Sequence, residues 1–396
     1  MLVYDENLDY KSEGGIRMKQ YKSWWWKPFA LVFGVIMALG LIATPVFANG
    51  SERQNGDNGF NRNGNILISD QFNNRVIEVN RLGKIVWQFG IGPNDQTATS
   101  VLGVNDAQRV GDLTLIAGTG VPAADPPFEP GAINGRADNR VILVNEEGRI
   151  VWQYGQFGVT GSGPNELNTP VQCTWLPNGH VLISDQGNQR IIEVNRDKKI
   201  VWQYGMTGVA GNGLNQLNNP NSAELLENGN ILIADESNNR AIEVKHNNSH
   251  AIVATFTAGL TVSGCAFASR LPNGNTLITD ANNSRIVEVN RNDQVVWQYL
   301  TNTDINSNST PAPTRAIRLK NGNTIISDQF NDRVIIVDHS KNAKILATYG
   351  NLNQLGYGSD NTSQGLNAPY DAKVIGDYTG ITPPFGFDRG HQDNQR

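Results

Sequence analysis

Residues 63–90 read NGNILISDQFNNRVIEVNRLGKIVWQFG, and the same sentence returns along the chain. It reappears as NGHVLISDQGNQRIIEVNRDKKIVWQYG from Asn178, NGNILIADESNNRAIEVK from Asn228, NGNTLITDANNSRIVEVNRNDQVVWQY from Asn273 and NGNTIISDQFNDRVIIVD from Asn321. A diverged copy runs from Asp112 (DLTLIAGTG) to RADNRVILVNEEGRIVWQYG. One arginine marks the register of each unit: Arg75, Arg140, Arg190, Arg240, Arg285 and Arg333. Within a unit, Val, Ile, Trp and Tyr recur with period 2 between Gly- and Asn-rich turns, the pattern of short half-buried strands. The third unit predicts strands over 171–176, 180–184, 190–195 and 199–204, with a Pro177-Asn178-Gly179 turn and a 185–189 loop. Repeats of about 45 to 50 residues carrying four strands each are propeller blades.

Closure is legible too. The first unit lacks an inner strand before Asn63, where the chain is polar. The stretch LNAPYDAKVIGDYTGI (366–381) matches the inner-strand segments LGVNDAQRVGDLTLI and LNTPVQCTWLPNGHVLI. The expected fold is therefore all-β: a six-bladed β-propeller of four-stranded antiparallel blades, closed by the C-terminal strand joining the N-terminal blade, which removes a sheet edge.

The composition agrees. Of 396 residues only 17% are charged, while 41 are Gly and 49 are Asn, the residues that tolerate positive φ in tight turns. A formal charge of −5 argues against a basic nucleic-acid surface. Two Cys cannot staple a disulfide scaffold or build a structural zinc site alone.

The first 48 residues read as an address. From Met18, the expected start, Lys19, Lys22 and Lys27 precede an apolar run over 29–43, and Val46 and Ala48 are the small residues of a cleavage site. Cleavage after Ala48 would release an extracytoplasmic protein. An uncut segment over 29–48 would instead anchor it to a membrane. The propeller is expected over 49–381 and a polar tail over 382–396.

The stretch GSGPNELNTPVQCTWLPNGHVLISDQGNQRIIEVN (161–195) resembles NHL repeats, with their Gly-rich lead, Pro, Gly turn and Asp-x-x-Asn-x-Arg element. The GKIVWQ ending also looks like arylsulfotransferase and quinoprotein propeller repeats. The NHL resemblance covers about 320 residues and implies the fold, but no activity, because one fold hosts many functions. Enzymes of such folds that use channel histidines, including arylsulfotransferases, streptogramin lyases and zinc-dependent amidating lyases, find no counterpart. His180, His246, His250, His339 and His391 all fall outside the inner strands.

Candidate sites are departures from the repeat. The Asp-x-x-Asn-x-Arg element and the tryptophans Trp87, Trp152, Trp202 and Trp297 recur from blade to blade and read as architecture. One inner-strand column varies: Asp371, Asp106, Gln172, Ser222, Phe267 and Arg315 for blades one to six. The next column is small, including Ala107, Cys173 and Ala372, as crowding at an axis requires. Asp106 and Asp371 on adjacent blades, with Asn105, Gln172 and Asn221, form an oxygen-rich set suited to a hard cation such as Ca2+. Arg315 and Tyr370 complete a candidate ligand set at the channel mouth. The alternative is a solvated channel with an Asp371–Arg315 pair. Blade two carries an insertion, TGVPAADPPFEPGAINGRAD (119–138), whose Asp125, Phe128 and Glu129 are candidates for ligand recognition. These readings predict a monomeric extracytoplasmic scaffold that binds a protein, small molecule or glycan on its loop-rich face. A metal-dependent hydrolase or lactonase using Asp106 and Asp371 is the alternative.

Overall fold

The computed structural model describes residues 59–93, 95–121, 135–357 and 363–377. The expected leader, the tail and the insertion residues Asp125, Phe128 and Glu129 lie outside the described residues. The described strands form six four-stranded antiparallel sheets. From the axis outward, blade three comprises Pro170–Trp175, Val181–Asp185, Arg190–Val194 and Ile200–Tyr204. These limits match the sequence reading to within a residue or so. Blades two, four, five and six begin with inner strands Val104–Val110, Pro220–Leu225, Cys265–Arg270 and Arg315–Arg318. Blade one takes its inner strand, Pro369–Val374, from the other end of the chain. It pairs antiparallel with Ile66–Asp70, Ile66 facing Val374 and Ser69 facing Asp371.

In five blades the second strand ends in an aspartate, followed by a single turn of 3-10 helix such as Gln186–Asn188. The residue closing that turn has positive φ, which is why Asn, Gln, Ser or Asp stands there and no β-branched residue does. Between blades the packing is apolar: Leu182, Ile191 and Tyr204 of blade three meet Ala223, Ile233 and Ile242 of blade four. Three of the four outer-strand tryptophans fasten neighbours through their indole N–H, while Trp202 Nε1 is buried with no hydrogen-bond partner among the described residues. Trp87 donates to the Glu146 carbonyl at 2.8 Å, Trp152 to Arg196 at 3.1 Å and Trp297 to Ser340 at 3.1 Å, each in the next blade. Both cysteines are free and buried. Among the described residues no helix is long and apolar enough to cross a membrane.

Strand direction places the blade-to-blade connectors and the 3-10 turns on one face. The hairpins joining first to second and third to fourth strands lie on the other.

Candidate functional site at the propeller axis

The repeat element builds the frame around the axis. Asp185 accepts from Arg190 Nε at 2.7 Å and Asn188 Nδ2 at 2.8 Å on one oxygen, and from the Asn168 amide of the incoming connector at 2.8 Å on the other. Asp70, Asp235 and Asp280 repeat the pattern. In blade two, which lacks an aspartate at that position, Asp138 performs the same task from the third strand. It accepts from Arg140 Nε at 2.5 Å and from the Leu102 amide at 2.7 Å. Burial raises the Asp185 carboxyl pKa, opposed by the Arg190 charge beside it. Three donors on the Asp185 carboxylate leave this element little freedom for another role.

An innermost strand is a sheet edge, and its axis-facing amides need acceptors. The varying column supplies them. Asp371 Oδ2 accepts from the Ala107 amide (3.4 Å), Asp106 Oδ2 from Cys173 (3.0 Å), Gln172 Oε1 from Ala223 (2.5 Å) and Ser222 Oγ from Ala268 (3.3 Å). Each bond runs from one blade to the next. A second tier repeats it, with Gln108 accepting from the Trp175 amide and Glu224 from Arg270. Asp, Gln and Ser differ in sequence yet share an acceptor within reach of the neighbouring strand, so the variability reflects one structural task.

Phe267 and Arg315 break the series. Arg315 instead plugs the axis. Its Nη1 donates to Asn221 Oδ1 (2.9 Å), and to the carbonyls of Ala266 and Thr314, and its Nη2 to Val171 O, while the guanidinium lies 5.0 Å from the Tyr370 ring and 5.2 Å from Phe267. Above it, Asn221 Nδ2 bonds Glu236 (2.8 Å) and the Tyr370 hydroxyl (3.0 Å), and Gln186 also reaches Glu236. Gln329, Gln71 and Asn105 form a chain across the same mouth. Sequence reading missed Gln71, Gln186, Glu236 and Gln329. Their signal was available: each directly follows the repeat aspartate, on the turn that leans over the axis.

Lys373 was missed as well, and it alters the reading of both aspartates. Its ammonium lies 2.6 Å from Asp106 Oδ1, 2.5 Å from Asp371 Oδ2 and 2.9 Å from the Ala107 carbonyl. The two carboxylates expected to hold a hard cation are thus bound by the chain's own ammonium, which takes the place between them. The cation paired with Asp371 is Lys373, and the alternative Asp371–Arg315 pair gives way to Arg315 reaching across the axis. Burial raises the Asp371 carboxyl to about 6, with Lys373 opposing. Among the described residues no group of three His, Cys, Asp or Glu is placed to hold a metal ion.

Asn105, Asp106, Gln172, Asn221, Arg315, Tyr370 and Asp371 therefore do converge, all of them buried. What they bind is one another. The space left beside Gln172, Cys173, Glu224 and Lys373 is about 20 Å³, room for a water molecule. Glu224, at its edge, is pushed up to about 7 by burial.

The opposite face holds a series of ion pairs at four of the six blade junctions. Third-strand glutamates meet an arginine of the next inner strand: Glu78–Arg109 at 2.5 Å, Glu243–Arg270 at 3.0 Å and Glu288–Arg318 at 2.9 Å. Blade four has Leu225 where the arginine would stand. There Glu193 takes His180 at 2.5 Å and His246 at 2.8 Å.

Six four-stranded sheets around a filled axis define a six-bladed β-propeller. No family model matches the chain, and no curated protein matches it. Among solved structures the chain is similar to a protein of unknown function from Bacteroides caccae (15% identity over 70% of this chain and 91% of that one, TM-score 0.47). It is also similar to virginiamycin B lyase from Staphylococcus aureus (14%, 72% and 84%, TM-score 0.45) and to the WD40 propeller domain of Doa1 (11%, 72% and 82%, TM-score 0.44). At such scores these likenesses carry no argument, and the fold rests on the sheets themselves.

Proposed function

We propose that this chain is an NHL-like propeller working outside the cytoplasm as a binding scaffold, and that a protein partner docks on its connector face. One observation carries the reading: all six connectors expose apolar side chains on that face. Ile91 is 82% exposed, Leu260 88% and Ile305 87%, and Val159, Leu214 and Tyr357 occupy the remaining three. An apolar side chain recurs on every connector, and a partner seated across the rim would bury them together. The axis beneath is occupied by the chain's own hydrogen-bonded side chains, which supports contact across the rim over capture of a substrate within.

The test is site-specific photo-crosslinking in the producing cell, with the reactive residue placed at Ile91, Leu260 or Ile305, and at Val201 and Val296 on the outer strands as controls. The reading expects discrete cross-linked species from the connector positions only. Cross-links confined to Val201 and Val296, or none anywhere, would overturn it.

A further inference from the structure

Asp106, Lys373 and Asp371 make up an electrophile, a nucleophile and a base in contact, sealed at the axis. The three side chains are 2%, 8% and 1% exposed. Lys373 and Asp371 face the same way from one strand, and Asp106 meets them from blade two. We propose that this triad is a self-modification site, at which Lys373 Nζ and Asp106 Cγ condense to an isopeptide bond that fastens the C-terminal strand to blade two.

The chemistry balances without any further reactant. Lys373 begins as an ammonium and Asp106 as a carboxylate. Asp371 Oδ2, 2.5 Å from Nζ, takes one ammonium proton and passes it to Asp106 Oδ1, leaving a neutral amine beside a carboxylic acid. The amine, already 2.6 Å from Oδ1, attacks Cγ. The oxygen that becomes anionic is Asp106 Oδ2, and the Cys173 amide donates to it at 3.0 Å, an oxyanion donor already in position. A second proton moves from nitrogen through Asp371 to Oδ1. The C–Oδ1 bond breaks, water departs, and an uncharged amide remains with Asp371 again a carboxylate. No oxidation state changes.

Two physical arguments favour the forward direction. Holding amine and carboxyl in contact removes the encounter entropy, an effect equivalent to about 10⁵–10⁸ M of reactant in well-oriented systems. Burial penalises the Lys373 and Asp106 ions, whereas the amide is neutral and the water leaves to solvent; the Asp371 carboxylate, its counter-ion consumed, then takes one proton from solvent and stays neutral beside the amide. Asp371 Oδ1 is buried with no hydrogen-bond partner among the described residues, so this carboxylate keeps the basicity that proton shuttling needs.

Mass spectrometry of the intact, denatured full-length chain decides the matter. The wild type is expected to weigh one water less than its sequence after any leader removal. Proteolysis should yield a branched peptide joining Asp106 to Lys373, stable to hydroxylamine, which opens succinimides but not isopeptides. Lys373→Arg should restore the full mass, and Asp371→Asn should do so in protein that circular dichroism shows to be folded. A folded wild type at full mass, or a lost water mapping elsewhere, overturns the proposal, and this reading holds even where a variant fails to fold. A branched peptide persisting in Asp371→Asn removes Asp371 from the mechanism.

Discussion

Asp185 satisfies an arginine, an asparagine and a connector amide at once, with no exposure to water. Asp185→Ala strands the buried Arg190 charge and is expected to cost about 3–5 kcal/mol in urea unfolding. A loss below about 1 kcal/mol would show that the element is ornamental. Other single residues set the response to pH. Burial raises Glu224 to about 7 and Asp332 to about 6, so in the folded state each binds its proton more tightly than in the unfolded chain. Their burial therefore costs stability at neutral pH, and that cost fades as pH falls towards the ordinary carboxylate range. Glu193 behaves oppositely. Burial works against its charge, but His246, His180 and Asn178 hold it at about 2, so its contribution is present above the ordinary value of 4.5 and is lost as pH falls towards 2. The urea midpoint should accordingly rise from neutral to mildly acidic pH and then fall. Glu224→Gln should flatten the rising limb. A midpoint that declines steadily from neutral pH downward would contradict these assignments.

At the scale of elements, strand and turn positions were readable because period-2 alternation and Asn-Gly turns are local properties. Closure by 369–374 was readable because a missing inner strand at one end had a matching segment at the other. Side-chain partners were harder to read. Asp138 replaces a missing aspartate from a different strand, and Lys373 neutralises Asp106 across 267 residues. Neither relation has a sequence spacing. The varying column also misled, because an acceptor requirement tolerates Asp, Gln or Ser, and a tolerant structural position resembles a functional one. Two outcomes follow at this scale. Truncation after Gly365 removes the inner strand of blade one and exposes an edge, so size-exclusion chromatography should show aggregates instead of a folded monomer. Trp152→Phe keeps the ring contact but forfeits the bond to the Arg196 carbonyl, and should cost about 0.5–1.5 kcal/mol by denaturant titration.

For the whole molecule, the account divides labour between a filled axis and an exposed rim. Arg315, Lys373 and their partners fasten the six blades at the centre, and every connector carries an apolar group facing water. Because Lys373 already lies between Asp106 and Asp371, added Ca2+ is expected to leave the thermal unfolding temperature unchanged. An upward shift abolished by Asp106→Ala would reinstate a cation site there. The central claim, that the axis is closed by the chain's own side chains, is tested most directly by thiol labelling, since Cys173 lines a water-sized space there. The native protein should show no reactive thiol, and two should appear on unfolding. Rapid labelling of Cys173 in the folded protein would mean an open channel and contradict the account.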